Sequence, residues 1–424
     1  MKILLVNTSE KTGGAAVATH RLMEALNNSG EKAKMLVRDK QSDDISVVSL
    51  RKSLLHRWYF LWERWCVFWH LRLSRHQLFA IDIANGGTDI TSLPEFKEAD
   101  IIHLSWINQG MLSLNGIRKI VLSGKPVVWT MHDLWPATAI CHYARGCKQF
   151  RTSCHHCRLL PGGGGSADLS NKVWRRKQRA FQGGNIHFVA CSKWLERQAR
   201  ESGLLKEHHV TSIPNPIDTR VFCPADKKAA RRQLNLPEAA RIILFVSQRV
   251  TDERKGMSYL ADAIERLVEQ QPEWKVGTHV VVTGGHSDAL SDRLSLPVHS
   301  LGYIDDEKTM VAAYRSADVF VLPSLEDNLP NTIMEAMACG TPCVGFNVGG
   351  IPEEIDHRKN GYVADYMNVD DLARGIRWVL QEADGEMLSK QAVRKVALSY
   401  SQNSVALRYI EVYSQALAFK KYRI

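Results

Sequence analysis

Both halves of this 424-residue chain open with the same three pieces in the same order. Ile3 to Asn7 is an apolar run of strand length, a loop with Gly13 and Gly14 follows, and Ala15 to Leu26 carries apolar residues at helical spacing. Ile242 to Ser247 is again an apolar run, a polar loop follows, and Met257 to Val268 is again amphipathic. Apolar runs of this kind alternating with helices imply a parallel sheet covered on both faces. The repeat therefore predicts two doubly wound α/β domains, each with its ligand end at the strand C-termini. The length agrees, since it suits two domains of roughly 200 residues better than one core. Further strands are predicted at 101–104, 127–130, 187–190, 279–283, 317–322 and 341–346, and a last helix at 404–419. Residues 210–218, stiffened by Pro214 and Pro216, read as the crossing between domains. The glycine run 162–165 reads as a mobile loop.

Apolar content of 45% and charged content of 24% describe a soluble globular chain. No run of about 18 apolar residues predicts a spanning helix, and the first seven residues read as a buried strand rather than a signal peptide. Nine cysteines without an export signal point to a reducing cytosol, where grouped cysteines bind metal more often than they pair. The net charge of +10 calls for an anionic partner: nucleotide, anionic lipid or nucleic acid.

Within 323–344, Asp327 and Glu335 stand on either side of an Asn-Leu-Pro turn, with a strand before it and a helix from Thr332 to Cys339 after it. A helix N-terminus at a strand end presents backbone N–H groups and a positive dipole end to a ligand. Two carboxylates there can each accept two sugar or ribose hydroxyls. Arg249 and Lys255 lie in the loop after the second domain's first strand, where two cations can hold a diphosphate. The bland alternatives are an N-capping Asp, a solvent-facing Glu and two surface cations. Gly13 and Gly14 allow close approach to a phosphate, but they do not form a GxGxxG fingerprint, which counts against a nicotinamide enzyme.

The 323–344 stretch resembles the signature of the family 4 retaining glycosyltransferases, which use nucleotide sugars and have the GT-B fold. Their pattern is Glu, seven residues, Glu, then Ala; Glu335 and Ala336 keep its second half, whereas Asp327 replaces the first Glu. The resemblance implies two Rossmann-like domains facing across a cleft. They are an acceptor domain over 1–213 and a donor domain over 214–400, with a helix at 401–424 returning to the first. It implies that Arg249 and Lys255, with the Gly13–Gly14 loop, hold the donor diphosphate. Glu335 would hold the ribose, and Asp327 with the backbone of Asn328, Leu329, Pro330 and Asn331 the sugar, while Tyr303 lies where the family reads the base. His132, just past a predicted strand, resembles the family histidine that contacts the donor sugar. It is not expected to act as a general base, since front-face attack leaves the acceptor proton to the departing phosphate. His103, also at a strand end, reads as structural. No catalytic cofactor or divalent ion is expected. The implied reaction moves a hexose-type sugar from a UDP-sugar, or second a GDP-sugar, to a lipid-linked saccharide in exopolysaccharide, capsule or O-antigen synthesis. The enzyme would be cytoplasmic and peripheral on the inner face of a bacterial membrane, with no nucleic-acid partner.

Two features stand outside that scheme. Cys141, Cys147, Cys154 and Cys157 fall within 17 residues, with His142, His155 and His156 among them, and suit a tetrahedral structural zinc. A similar insertion occurs in a polysaccharide-synthesis branch of family 4. Within a helix predicted over 51–76, Trp58, Trp62, Trp65 and Trp69 share one face, flanked by Arg51, Lys52, Arg57, Arg64, Arg72 and Arg75 against the single acid Glu63. That face suits anionic headgroups, or alternatively packs on the protein's own core. The basic run 175–179 adds to the membrane reading or is a solvated helix face. The competing functions are a nucleotide-sugar epimerase of the same fold, a non-catalytic membrane- or nucleic-acid-binding module, and a zinc hydrolase, for which no HExxH-like pair exists.

Overall fold

In the computed structural model, which describes residues 1–50, 54–286 and 294–421, seven strands form the first sheet. They are β1 (Lys2–Ser9), β2 (Lys32–Asp39), β3 (Val47–Ser49), β4 (Ile101–Leu104), β5 (Val127–Met131), β6 (Ile186–Ala190) and β7 (His209–Ser212). All pair in parallel, in the order β3-β2-β1-β4-β5-β6-β7. Every residue of β1 after Lys2 is buried, as an interior strand with helices on both faces requires. Strand order reverses between β1 and β4, so the loops leaving those two strands part and open a crevice at their C-terminal ends.

The second sheet repeats the arrangement with β8 (Arg241–Arg249), β9 (Thr278–Gly285), β10 (Val298–Ser300), β11 (Val319–Leu322), β12 (Cys343–Phe346) and β13 (Gly361–Ala364). These are again parallel, in the order β10-β9-β8-β11-β12-β13, with the reversal between β8 and β11. The chain divides into two compact units, residues 1–216 with 402–424, and residues 217–401. Val210 to Ser212, read from sequence as part of the crossing, are instead the body of β7, because their backbone is needed to extend the sheet beyond β6.

The helix Gln402–Lys421 belongs to the first unit. Val405, Ala406, Tyr409, Val412 and Tyr413 are buried with residues of the helix Gly14–Asn28 and of β1 and β2. Tyr413 reaches His103 at 2.5 Å, and Tyr409 reaches Thr130 at 2.8 Å, so His103 is a core residue with both ring nitrogens engaged.

The aromatic helix runs Leu54–His70; of the predicted span, 51–53, with Arg51 and Lys52, lie outside the described residues. It stops before residue 76 because Arg72 and Leu73 take left-handed backbone angles. Its inward side buries Glu63, Arg64 and Val67, while Trp58 is 66% exposed and Trp69 63%, so the tryptophans are not core residues. The glycine run is tied down: Asp168 accepts the backbone N–H groups of Cys157 at 2.9 Å and Gly165 at 3.2 Å, and Gly165 accepts that of His156. In the basic run 175–179, Lys177 is fully buried over the Trp135 ring and bonds the carbonyls of Trp135 and Thr138. No helix among the described residues is long and apolar enough to cross a membrane.

Candidate active site

In the second unit the crevice between β8 and β11 gathers charge. After β8 the chain turns through Asp252, whose side chain caps the short turn Glu253–Lys255. Gly256 follows with φ +75°, and a Cβ there would lie 1.9 Å from the Pro323 carbonyl oxygen. Only glycine lets this loop lie so close against the end of β11. The approach brings Lys255 Nζ to 2.5 Å from Asp327 Oδ2 and Arg254 to 3.8 Å. Ser324 donates to the same carboxylate at 3.2 Å, and the Asn328 backbone N–H to its other oxygen at 3.2 Å. Burial pushes the Asp327 carboxyl up, but Lys255 and Arg254 outweigh it and hold the group below its ordinary range. From the other side Gly349, with φ +61°, places its Cα so that a Cβ would sit 1.7 Å from the Asp327 carbonyl oxygen.

Lys255 and Asp327, assigned separately to diphosphate and sugar, are thus partners of each other. Lys255 keeps further N–H donors for a phosphate after pairing. Arg254 was missed from sequence. It bonds the Glu326 carbonyl at 2.9 Å and accepts the Leu325 N–H on its own carbonyl, fixing the Asp327 turn. The helix Asn331–Ala338 starts just beyond, with Asn328 and Leu329 buried in the turn and Pro330 at its cap. Glu335 is 8% exposed and accepts the Tyr314 hydroxyl at 2.8 Å. Arg249, at the end of β8, and Tyr303, in the loop after β10, are both exposed.

The first unit assembles a separate constellation from four strand ends. His132 follows β5; its Nε2 lies 2.8 Å from Ser105 Oγ, just after β4. Its Nδ1 lies 3.6 Å from Cys191 Sγ, just after β6, and that thiol bonds Asn215 at 3.1 Å. Burial pulls the imidazole down to about 4, so His132 is neutral at ordinary pH and suits hydrogen bonding to a hydroxyl. Gly13, with φ +92°, caps the helix Gly14–Asn28 after β1, and Thr19 of that helix bonds Ser105.

Next to His132, Asp133 accepts from His142 Nδ1 at 2.7 Å and from the Trp106 indole at 3.1 Å. His142 Nε2 reaches Asp82 at 2.6 Å. Burial alone would lower this imidazole, yet Asp133 and Asp82 raise it to about 10, which makes it a buried cation. His142, one of the histidines interspersed among the cysteines, is bound to carboxylates. Burial pushes Cys141 and Cys154 up to about 12 and raises Cys157 as well. Among the described residues no three His, Cys, Asp or Glu side chains gather as a metal-ligating set, while Cys141, Cys147, Cys154 and Cys157 lie near enough for charge on one to raise another's thiol. All are free thiols. The loop is instead held by backbone pairing of Ile81 with Cys141, a turn from Ala144 to Cys147, and the Asp168 bond to Cys157.

Known proteins resemble both units. A family described as Glycosyltransferase Family 4 matches residues 12–221, and one described as Glycosyl transferases group 1 matches residues 240–382. A D-inositol 3-phosphate glycosyltransferase of Thermobispora bispora is 30% identical over 237 residues, 52% of this chain and 54% of that protein. An uncharacterized glycosyltransferase of Methanocaldococcus jannaschii is 33% identical over 239 residues, 54% of this chain and 60% of its own. The chain therefore spans little more than half the length of these relatives. Among solved structures, sucrose-phosphate synthase from Thermosynechococcus elongatus has a TM-score of 0.66 at 20% identity, covering 98% of this chain and 99% of that one. HepE of Anabaena in complex with UDP-glucose has a TM-score of 0.64 at 16% identity, covering 98% and 100%. Residues 12–221 and 240–382 thus carry the domains of glycosyltransferase family 4 and of the group 1 glycosyl transferases, on two Rossmann-like parallel sheets of the GT-B kind.

Proposed function

We propose that the protein is a retaining hexosyltransferase. It moves a sugar from a nucleotide diphosphate sugar to a lipid-linked saccharide in bacterial cell-surface polysaccharide synthesis, working peripherally on the inner face of the cytoplasmic membrane. The observation that carries the reading is the Lys255–Asp327–Arg254 cluster, packed by Gly256 against the end of β11 beside a helix N-terminus. Lys255 and Arg249 hold the diphosphate and stabilise charge on it as the glycosidic bond breaks. Glu335, oriented by Tyr314, takes the ribose hydroxyls, and Asp327 with the Asn328–Asn331 backbone takes the sugar. Tyr303 packs on the base, and Gly13 and Gly14 give close approach to phosphate. His132, neutral, hydrogen-bonds a sugar hydroxyl and takes no proton. The departing phosphate receives the acceptor's proton, so two protein cations stand where other enzymes use a divalent ion. UDP is the favoured nucleotide and GDP the second, because HepE of Anabaena is described with UDP and with UDP-glucose. An epimerase of the same fold would need no lipid-facing helix, and a mere binding module would leave Lys255, Arg249 and Glu335 without a ligand.

Titration with UDP, GDP, ADP and CMP in the absence of metal is the test. One diphosphate is expected to stabilise the protein against heat by about 2.7 kcal/mol at a hundredfold excess over Kd, and Arg249→Ala and Lys255→Ala to abolish the response. No response to any nucleotide would overturn the donor site. The four-cysteine loop is tested by metal analysis of the purified protein. One equivalent of bound zinc per chain supports a structural site at Cys141, Cys147, Cys154 and Cys157, and a metal-free protein overturns it.

A further inference from the structure

The outward face of the helix Leu54–His70 is an apolar patch on the surface. Trp62 and Trp65 stack at 5.5 Å and Trp65 and Trp69 at 6.1 Å, so the three indoles form one continuous slab. Trp58, Leu61, Leu73 and Phe79 are exposed around it, as are Arg57, Arg72 and Arg75. Glu63, the one acid between residues 54 and 81, is fully buried on the opposite side. The patch thus offers solvent indoles and guanidinium groups with no carboxylate among them. Indoles settle at the level of lipid headgroups, and arginines there pair with anionic ones. A second copy of the chain fits worse, because two-fold pairing would set the same arginines against each other.

The inward face leads elsewhere. Glu63 accepts the backbone N–H groups of Ile83 and Ala84, each at 2.7 Å. Arg64 donates to Asp82 and, at 2.6 Å, to the Leu78 carbonyl. Asp82 meets His142 at 2.6 Å, His142 meets Asp133 at 2.7 Å, and the Leu134 N–H bonds the His142 carbonyl at 2.9 Å. His132 immediately precedes Asp133 in the chain. Arg64, Asp82, His142 and Asp133 are each less than a tenth exposed and alternate in sign. Glu63 lies 3.7 Å from Arg64, and Lys177 acts on both Asp82 and Asp133, so the row belongs to one buried charge cluster in which a shift of one member changes the compensation of the next. The helix backbone also lies directly on the loop after β4, where a Cβ on Gly110 would meet the Phe60 nitrogen at 2.8 Å.

We propose that the tryptophan face seats on an anionic lipid surface and that Arg64, Asp82 and His142 are positioning residues that carry this seating to the turn holding His132. The proposal rests on the reading of a membrane-bound acceptor and adds a means by which the enzyme senses that it has arrived. Hydrogen exchange followed by mass spectrometry on the full chain tests it with phosphatidylglycerol vesicles and phosphatidylcholine vesicles, and needs no turnover. Phosphatidylglycerol is expected to slow exchange in 54–70 and, by about fivefold or more, in 133–142; phosphatidylcholine is expected to do neither. In His142→Gln the slowing at 54–70 persists and that at 133–142 is lost. In a variant carrying Trp58→Ser, Trp62→Ser, Trp65→Ser and Trp69→Ser both are lost. Absence of vesicle binding overturns the proposal, as does binding that survives the fourfold change. Self-association through the patch without vesicle binding would make it a contact between copies. Slowing at 133–142 that is absent in the parent or unchanged in His142→Gln overturns the coupling. The nucleotide titration stands apart: its failure removes the transferase reading, whereas vesicle results alone leave the donor site untouched.

Discussion

Lys255→Ala is expected to lower kcat/KM for the nucleotide sugar by about 10²–10³, the loss seen when one preorganised donor to a developing anion is removed. The lysine ammonium is held by Asp327 at 2.5 Å, in a loop locked against β11 by Gly256, so it needs no reorganisation when charge gathers on the departing diphosphate. The variant keeps its fold, because Arg254 at 3.8 Å and Ser324 at 3.2 Å still compensate the Asp327 carboxylate. Steady-state kinetics with circular dichroism of the same sample checks both halves of the statement. A loss under about tenfold would show that the diphosphate is held elsewhere. Lys255→Arg should recover only part of the rate, since a planar fork replaces a compact charge.

The second large effect is on stability. Gly349→Ala puts a methyl group 1.7 Å from the Asp327 carbonyl oxygen at a residue with φ +61°. Left-handed backbone costs a non-glycine residue about 1–2 kcal/mol, and overpacking adds about 1–3 kcal/mol. Because the clash is with backbone, no side chain can swing aside. The second unit should therefore melt roughly 6–12 °C lower, taking about 3 kcal/mol over a domain of this size. The Asp327 turn must also move away from Lys255, so nucleotide stabilisation should weaken in parallel. A variant that melts and binds like the parent would show that the loop after β12 has room this structure does not display.

Much of this was legible in the sequence because buried parallel strands are uninterrupted apolar runs. Residues 101–104 were placed to the residue, and β1, β5, β6, β8 and β9 to within a few. β2 and the edge strands β3, β7, β10 and β13 were not: three or four residues such as Val298–Ser300 or Gly361–Ala364 leave no run to see, and in β2 Lys32 and Lys34 interrupt it. In the candidate site, Asp327, Glu335, Arg249 and Lys255 were each singled out from the turn, helix and loops that follow strands in the sequence. The Lys255–Asp327 pairing was invisible, because it depends on how closely Gly256 lets two loops approach. Arg254 was hidden as one more cation beside Lys255. The partners of His142 were hidden for a similar reason: they are Asp133 and Asp82, the latter 60 residues away in a segment without periodicity.

The helix Gln402–Lys421 completes a core whose other parts precede the whole of the second unit. At about 5–20 residues added per second, a ribosome takes roughly 10–40 s to make the intervening segment. Throughout that interval Tyr409 and Tyr413 do not yet exist to cover β1 and β5, and His103 and Thr130 lack their phenolic partners. The unit begun first is thus finished last. Until then its apolar groove stays uncovered, while the second unit, already complete in sequence, can fold.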